Sequence, residues 1–370
     1  MTEYLSELAQ GLKPYVPGEQ PSDRQYIKLN TNENPYGPSH QVKLAIEEEI
    51  GSLRLYPDPD CVALRDRVAA YYGVSRENVF VGNGSDEVLA FAFPAFFTSG
   101  TVLFPNITYS FYPVYSDLFK TKYMEIPLKE DFSIDPADYC GFGTAGEMPD
   151  DQADGMHEGR IRGILIPNPN APTGKCLAPE AVEQIVKANR DKVVLIDEAY
   201  IDFGGVSAVG LTERYENLLV VMTLSKSRAL AGLRVGFAIG GKKLIDGLNA
   251  VKNSFNSYTV DRLALAGAAA AIEDGRYFMQ TRDMIIATRE RVAAALCDIG
   301  FKVVPSQANF VFISHPTVRA QAIFEELRGM GILVRYFNKP LIDNYLRVTI
   351  GTDEEMDRFL SAVREIAALR

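Results

Sequence analysis

Seven short runs of β-branched and aromatic residues, spaced by helical patterns, restrict this chain more than any other feature. They fall at residues 79–81, 101–104, 122–126, 161–166, 192–196, 218–222 and 235–239, and helical patterns over 86–97, 109–119 and 179–189 separate several of them. Strands alternating with helices predict βαβ units, and hence an α/β fold with a mostly parallel sheet covered by helices on both faces. Runs such as VVLI at 193–196 carry no polar alternation, as a strand buried on both faces requires. After Gly240 the texture changes. Helices are expected over 242–253, 258–272 and 277–299, then short strands at 301–304, 310–313, 333–337 and 346–350, with helices over 317–330 and 353–369. The predicted division is an N-terminal arm over 1–39 that packs with the small domain, a large domain over 40–275 and a smaller α+β domain over 276–370.

The balance of residues narrows the function. A formal net charge of −10 and the lack of a basic tract argue against a nucleic-acid partner. The four cysteines, Cys61, Cys140, Cys176 and Cys297, are scattered and form no CxxC pair, as in reduced cytoplasmic proteins. The three histidines, His40, His157 and His315, are equally dispersed, so no dedicated metal site is expected. No signal pattern opens the chain, and no apolar run approaches the ~20 residues of a membrane helix. These features predict a soluble, cytoplasmic protein without a membrane partner. Residues 141–160, acidic and glycine-rich, are expected to form a weakly ordered, solvated surface loop.

Four stretches carry chemistry. VGNGSDE (81–87) reads as a strand, a glycine turn and a helix start. Free N–H groups and the positive end of the helix dipole make such a start a phosphate seat, although Ser85 as a plain N-cap explains it equally well. It is neither a dinucleotide fingerprint nor a P-loop. IPNPNAPTG (166–174) is a turn fixed by prolines and presenting asparagine amides. VVLIDEAYIDF (193–203) sets Asp197 at a strand's carboxyl end, where parallel sheets bind ligands, with Tyr200 three residues on. TLSKSRALAGLRVG (223–236) places Lys226 just past another strand and Arg234 downstream. A buried lysine is costly unless it is paired or used as an amine. Anion seat, strand-end acid and strand-end lysine together point to pyridoxal 5′-phosphate (PLP) as the cofactor.

These motifs, with NENPYGP (32–38) and YPDP (56–59), resemble in order and spacing the aminotransferases of PLP fold type I along the whole chain. That fold has a large domain, its mostly parallel sheet sandwiched by helices, plus a smaller α+β domain and an N-terminal arm. LKPYVPG, NENPYGP and LRVTIGT (346–352) make the chain most similar to the histidinol-phosphate aminotransferase branch. The resemblance implies that Lys226 bonds the cofactor and moves the proton, that Asp197 partners the ring nitrogen, and that Tyr200 bonds the ring oxygen O3′. It implies that Tyr109 stacks on the ring. Gly84, Ser85, Asp86, Thr223, Ser225 and Arg234 complete the cofactor's contacts, the last two with Ser85 and Asp86 as its phosphate cup. Tyr56 reaches the neighbouring subunit's phosphate, which implies a homodimer with shared sites. Where the family usually has asparagine, this chain has Ala171; Asn170 or Asn168 supplies the amide to O3′, or Tyr200 acts alone. Arg347 resembles the carboxylate clamp, with Arg335 beside it for a phosphate, and Tyr15 and Asn34 as polar contacts from the arm. The expected substrates are a small amino donor and a 2-oxo acid: L-histidinol phosphate and 2-oxoglutarate, giving imidazole acetol phosphate and glutamate. An aromatic amino-acid aminotransferase and a threonine-phosphate decarboxylase share nearly all these motifs. A non-catalytic PLP-binding regulator would need a DNA-binding domain for which the arm has no room.

Overall fold

The computed structural model describes residues 4–141 and 160–368, so all but the two end residues of the 141–160 stretch lie outside the described residues. Its centre is a seven-stranded sheet. The spatial order is Val79–Asn83, Val235–Gly240, Leu218–Thr223, Val193–Asp197, Ile161–Pro167, Thr101–Pro105 and Lys122–Ile126. Every pairing is parallel except the two made by Val235–Gly240.

Side chains alternate across a strand with period two, and both faces here are apolar. Ile164, Val194, Ile196, Leu218 and Val220 enter one core with the helices Val62–Tyr72, Pro179–Ala188 and Arg262–Glu273. Leu165, Leu195, Leu219 and Val221 enter another with the helices Gly84–Ala92 and Lys242–Phe255. Truncating a fully buried member such as Leu195 to Ala costs about 2–5 kcal/mol.

The single antiparallel strand matters for function. Parallel strands end at one rim, which carries Pro167, Asp197 and Thr223; Pro167 and Asp197 are register partners. Val235–Gly240 runs the other way, so it begins at that same rim and brings Arg234 there. Val79–Asn83 is antiparallel to it and therefore ends there, with Asn83 opposite Val235. Gly236 is required by this meeting: a Cβ on it would lie 2.2 Å from the Ser85 backbone nitrogen.

A second, antiparallel sheet has the order Arg335–Tyr336, Leu346–Thr349, Phe310–Ser314, Lys302–Val304. Ile27–Lys28 pairs in parallel with Ile332–Leu333 and ties the chain's beginning to this half. The expected strand over 333–337 is split at Val334, because its first part pairs with the N-terminal segment and its second with Leu346–Thr349. The helix expected over 86–97 starts at Gly84, with no side-chain cap, so Ser85 is not an N-cap. Its last part, Phe93–Phe97, is a wider turn opened by Pro94, which has no N–H to give. The helix over 109–119 begins only at Phe111, leaving Tyr109 ahead of it. His40–Glu49 and Val62–Tyr72 were not foreseen: the first buries only Val42, and the second starts at Cys61 in a left-handed conformation without a side-chain cap.

Candidate active site

At the shared rim lies a cavity of about 100 Å³ lined by Ser85, Asp86, Tyr109, Asp197, Tyr200, Thr223, Ser225, Lys226 and Arg234, with Pro167, Pro169, Ala171 and Ala199. Nine of the residues singled out in the sequence thus meet in one place. Larger hollows exist, one of about 330 Å³ beside Arg67 and Arg262 and one of about 410 Å³ beside Lys175 and Arg289. Their arginines and lysines are ion-paired, whereas the smaller cavity holds an acid raised and a lysine lowered by burial, Asp197 and Lys226, which is the mark of a reactive site.

Lys226 Nζ donates to the Thr31 carbonyl at 3.2 Å. Burial first, and then the nearby Arg347, pull its amine down to about 8. A lysine there is partly neutral near physiological pH and can act as a nucleophile or a base. Asp197 is 5% exposed and accepts from Tyr112 Oη at 3.0 Å and from the Ala199 N–H at 3.2 Å. Burial pushes its carboxyl up to about 6, against the pull of both hydrogen bonds. Its neighbour Glu198 faces the opposite way, accepting from Ser207 Oγ and the Ala208 N–H, and burial lifts it to about 8. Of the two adjacent acids, only Asp197 lines the cavity.

Arg234 Nη2 pairs with Asp86 at 2.9 Å, and its Nη1 reaches Ser225 Oγ at 3.4 Å. Thr223 Oγ1 donates to Ser225 Oγ and accepts from the Ser225 N–H. Gly84, at φ +77°, leaves room for the guanidinium, since a Cβ there would lie 2.6 Å from Arg234 Nη2. Hydroxyls, a helix start and a guanidinium converge here in the manner of a phosphate seat. Tyr109 Oη donates to the other Asp86 oxygen at 2.7 Å.

Other predicted residues lie off the cavity. Asn170 is fully buried and donates to the Ile107 carbonyl, and Asn168 bonds the Leu177 backbone. Ala171 lines the wall instead, so of the groups expected near O3′ only the Tyr200 hydroxyl is in the cavity. Asn34 spends its amide on the Lys226 and Ser227 carbonyls and so holds the lysine's backbone. Tyr15 stacks on Phe111, with ring centroids 4.4 Å apart. Tyr56 is 78% exposed and stacks on Tyr258. Arg335 and Arg347 are register partners on neighbouring strands, and both cover the Phe337 ring. Arg335 Nη2 bonds the Val16 carbonyl and Arg347 Nη2 the Asn30 carbonyl. Among the described residues, Arg347 Nε is buried without a partner. Such an orphan donor is costly unless an anionic ligand completes it.

Two groups escaped the sequence reading. Tyr112, which orients Asp197, stands at helical spacing from Tyr109, and that spacing was the available signal. Asn32, which bonds Tyr200 Oη at 2.9 Å, gave none beyond its place in the NENP motif. Among the described residues, no group of three or more His, Cys, Asp or Glu could hold a metal, and no helix is long and apolar enough to cross a membrane.

A lysine with a lowered pKa, a strand-end carboxylate and an arginine–serine anion seat around one cavity are the parts of an amino-group transferase. Residues 24–363 match the family model described as aminotransferase class I and II, and the chain belongs to that family. It is 55% identical over 370 residues to a histidinol-phosphate aminotransferase of Clostridium acetobutylicum, with 100% of both chains covered. It is 54% identical over 368 residues to histidinol-phosphate aminotransferase 1 of Bordetella parapertussis, with 99% of each covered. In fold it is similar to the Sinorhizobium meliloti histidinol-phosphate aminotransferase solved in complex with pyridoxal 5′-phosphate, at a TM-score of 0.87 and 23% identity, covering 100% of this chain and 98% of that one. A Thermus thermophilus aspartate aminotransferase has the same fold at a TM-score of 0.80 and 20% identity, covering 98% and 99%.

Proposed function

We propose that this chain transfers the amino group of L-histidinol phosphate to 2-oxoglutarate with PLP as cofactor. The observation that carries this reading is identity of 50–55% along essentially the full length with proteins of that name. The cavity supports it, since its lysine, carboxylate and anion seat fit an aldehyde, a ring nitrogen and a phosphate. Arg347 Nε, which has no partner among the described residues, fits the carboxylate or phosphate of a substrate.

When bound, PLP supplies an aldehyde for an amine and a ring that accepts electrons. The roles that follow belong to this chain. Lys226 Nζ, freed by the incoming amine, would take a proton from the substrate carbon as general base and give it back as general acid. Asp197 is a carboxylate above about pH 6, the form that keeps a proton on a ring nitrogen opposite it. Tyr200 Oη would hold the ring oxygen and Tyr109 would pack on the ring, since both line the cavity. Ser225, Arg234 and the helix start at Ser85 and Asp86 would hold the phosphate, with Gly84 and Thr223 shaping that seat. Arg347 and Arg335 grip the substrate's anionic group by their planar forks. The two substrates take turns at one site, the phosphate of the donor and the α-carboxylate of the acceptor both meeting Arg347.

We further propose a cytoplasmic homodimer in which Tyr56 completes the partner's phosphate seat. Its exposed ring, beside exposed Leu53 and Leu55, supports this. Mixing a Tyr56→Ala chain with a Lys226→Ala chain tests it: hybrid dimers with one restored site are expected, and none if each chain is self-sufficient.

Steady-state comparison of histidinol phosphate, phenylalanine and threonine phosphate tests the substrate. We expect histidinol phosphate to lead in kcat/KM; no turnover of it would overturn the substrate while leaving the cofactor in place. Threonine-phosphate decarboxylation has weaker support, because the Porphyromonas gingivalis L-threonine-O-3-phosphate decarboxylase is only 19% identical, with a TM-score of 0.74.

A further inference from the structure

Residues 30–34 bond three functional groups, of which Lys226 and Tyr200 line the cavity and Arg347 lies beside Tyr200. The Asn30 carbonyl accepts from Arg347, the Thr31 carbonyl accepts from Lys226 Nζ, and Asn32 Nδ2 donates to Tyr200 Oη. Asn32 is 1% exposed and has φ +56°, a conformation asparagine tolerates better than most residues.

The orientation of its amide follows from its other partners. Thr349 Oγ1 accepts the Asn32 N–H at 3.0 Å, and its own hydrogen then goes to Asn32 Oδ1, also at 3.0 Å. With Oδ1 turned to Thr349, Nδ2 must face Tyr200. The backbone is pinned as well: Asn309 Nδ2 donates to the Asn32 carbonyl at 3.0 Å. A phenol that accepts a hydrogen bond from this side keeps its single O–H free for another. Tyr200 is further held by an edge-to-face contact with Phe310, with ring centroids 5.2 Å apart.

We infer that Asn32 is a positioning residue that fixes Tyr200 as a donor into the cavity, and that Thr349 sets Asn32 in turn. This rests on the PLP reading above. Thr349 is two residues from Arg347 on the same strand, and Arg347 also bonds Asn30. The arginine that meets the substrate and the tyrosine that meets the ring are therefore linked through one short segment. The charged groups facing Tyr200 are Arg347, Asp197 and Asp86, and those facing Lys226 are Arg347, Glu33, Asp86 and Arg234. Asn32→Gly and Thr349→Val leave the number of these charges unchanged, whereas Asn32→Asp adds one carboxylate, so Asn32→Gly is the variant that isolates the amide's effect.

The experiment is a spectral pH titration of the cofactor bound to Lys226 in the purified holoenzyme. A hydroxyl donated to the ring oxygen withdraws charge from it and helps the adjacent lysine nitrogen release its proton. Weakening that donor therefore moves the midpoint upward. Asn32→Asp offers Tyr200 an acceptor in place of a donor and turns the hydroxyl away. Asn32→Gly removes the amide while keeping the backbone conformation. We expect both to raise the midpoint by about one unit, in the direction of Tyr200→Phe. Thr349→Val should shift it the same way by less, and Thr349→Ser should leave it in place. An unchanged midpoint in both Asn32 variants, with Tyr200→Phe shifted, overturns the inference alone. A wild-type protein with no lysine-bound cofactor spectrum overturns the PLP reading and this inference with it.

Discussion

Lys226 is flanked by two regions that work by different means. On the sheet side, strand ends deliver ionisable groups into a dry rim, and burial bends their chemistry: Asp197 rises to about 6 and Lys226 falls to about 8. On the other side, residues 30–34 deliver mainly backbone carbonyls and amides, which hold the lysine, Arg347 and Tyr200 by hydrogen bonds. The rim supplies reactivity and residues 30–34 supply orientation. A reactive group is useful only where its proton and lone pairs point the right way, so both regions are needed.

If that distinction holds, altering the rim should cost far more than altering what orients it. Asp197→Ala should retain some PLP and lose about 10²–10⁴ in kcat, read by single-turnover kinetics. An undiminished rate would mean that the ring nitrogen has another partner. Arg347→Met keeps the apolar stem and removes the fork. It should raise KM for both substrates by about 10- to 100-fold, with kcat less affected, and it should lift the Lys226 amine, because Arg347 is the strongest charge pulling that amine down. Equal KM values in the variant and the wild type would place the anion clamp elsewhere.

The smallest effect belongs to Tyr112→Phe. The Tyr112 hydroxyl lowers the Asp197 pKa, so its loss raises it, and the carboxylate persists over a narrower range. The acidic limb of the rate profile should move to higher pH, while the rate well above pH 6 stays within about 3-fold. An unmoved limb would break the link between this hydrogen bond and the charge on Asp197.

The same contrast explains what could be read in the residues alone. All seven strands of the large sheet match the expected runs within a residue or two; the inner ones are apolar runs covered on both faces, which leave a continuous signal, whereas the exposed edge strand Lys122–Ile126 does not. The rim followed, since a parallel sheet must end its strands together. Lys226, Asp197 and Arg234 were therefore legible as a set. The part played by residues 30–34 was not, because backbone carbonyls carry no residue code. Asn34 was expected among the substrate contacts and instead holds the Lys226 and Ser227 carbonyls. Asn170, whose residue type suits O3′, turns to the Ile107 carbonyl, a direction set by the turn's fold and not by residue type. The helix His40–Glu49 was missed because it has almost no buried face to mark its period.

Every role assigned above depends on an imine between Lys226 and the aldehyde of PLP. Borohydride reduction of the purified protein, followed by proteolysis and peptide mass spectrometry, tests it most directly. The pyridoxyl mass should sit on the peptide containing Lys226 and disappear in Lys226→Ala. An adduct on a different lysine, or none after reconstitution with PLP, would mean that Lys226 does not carry the cofactor.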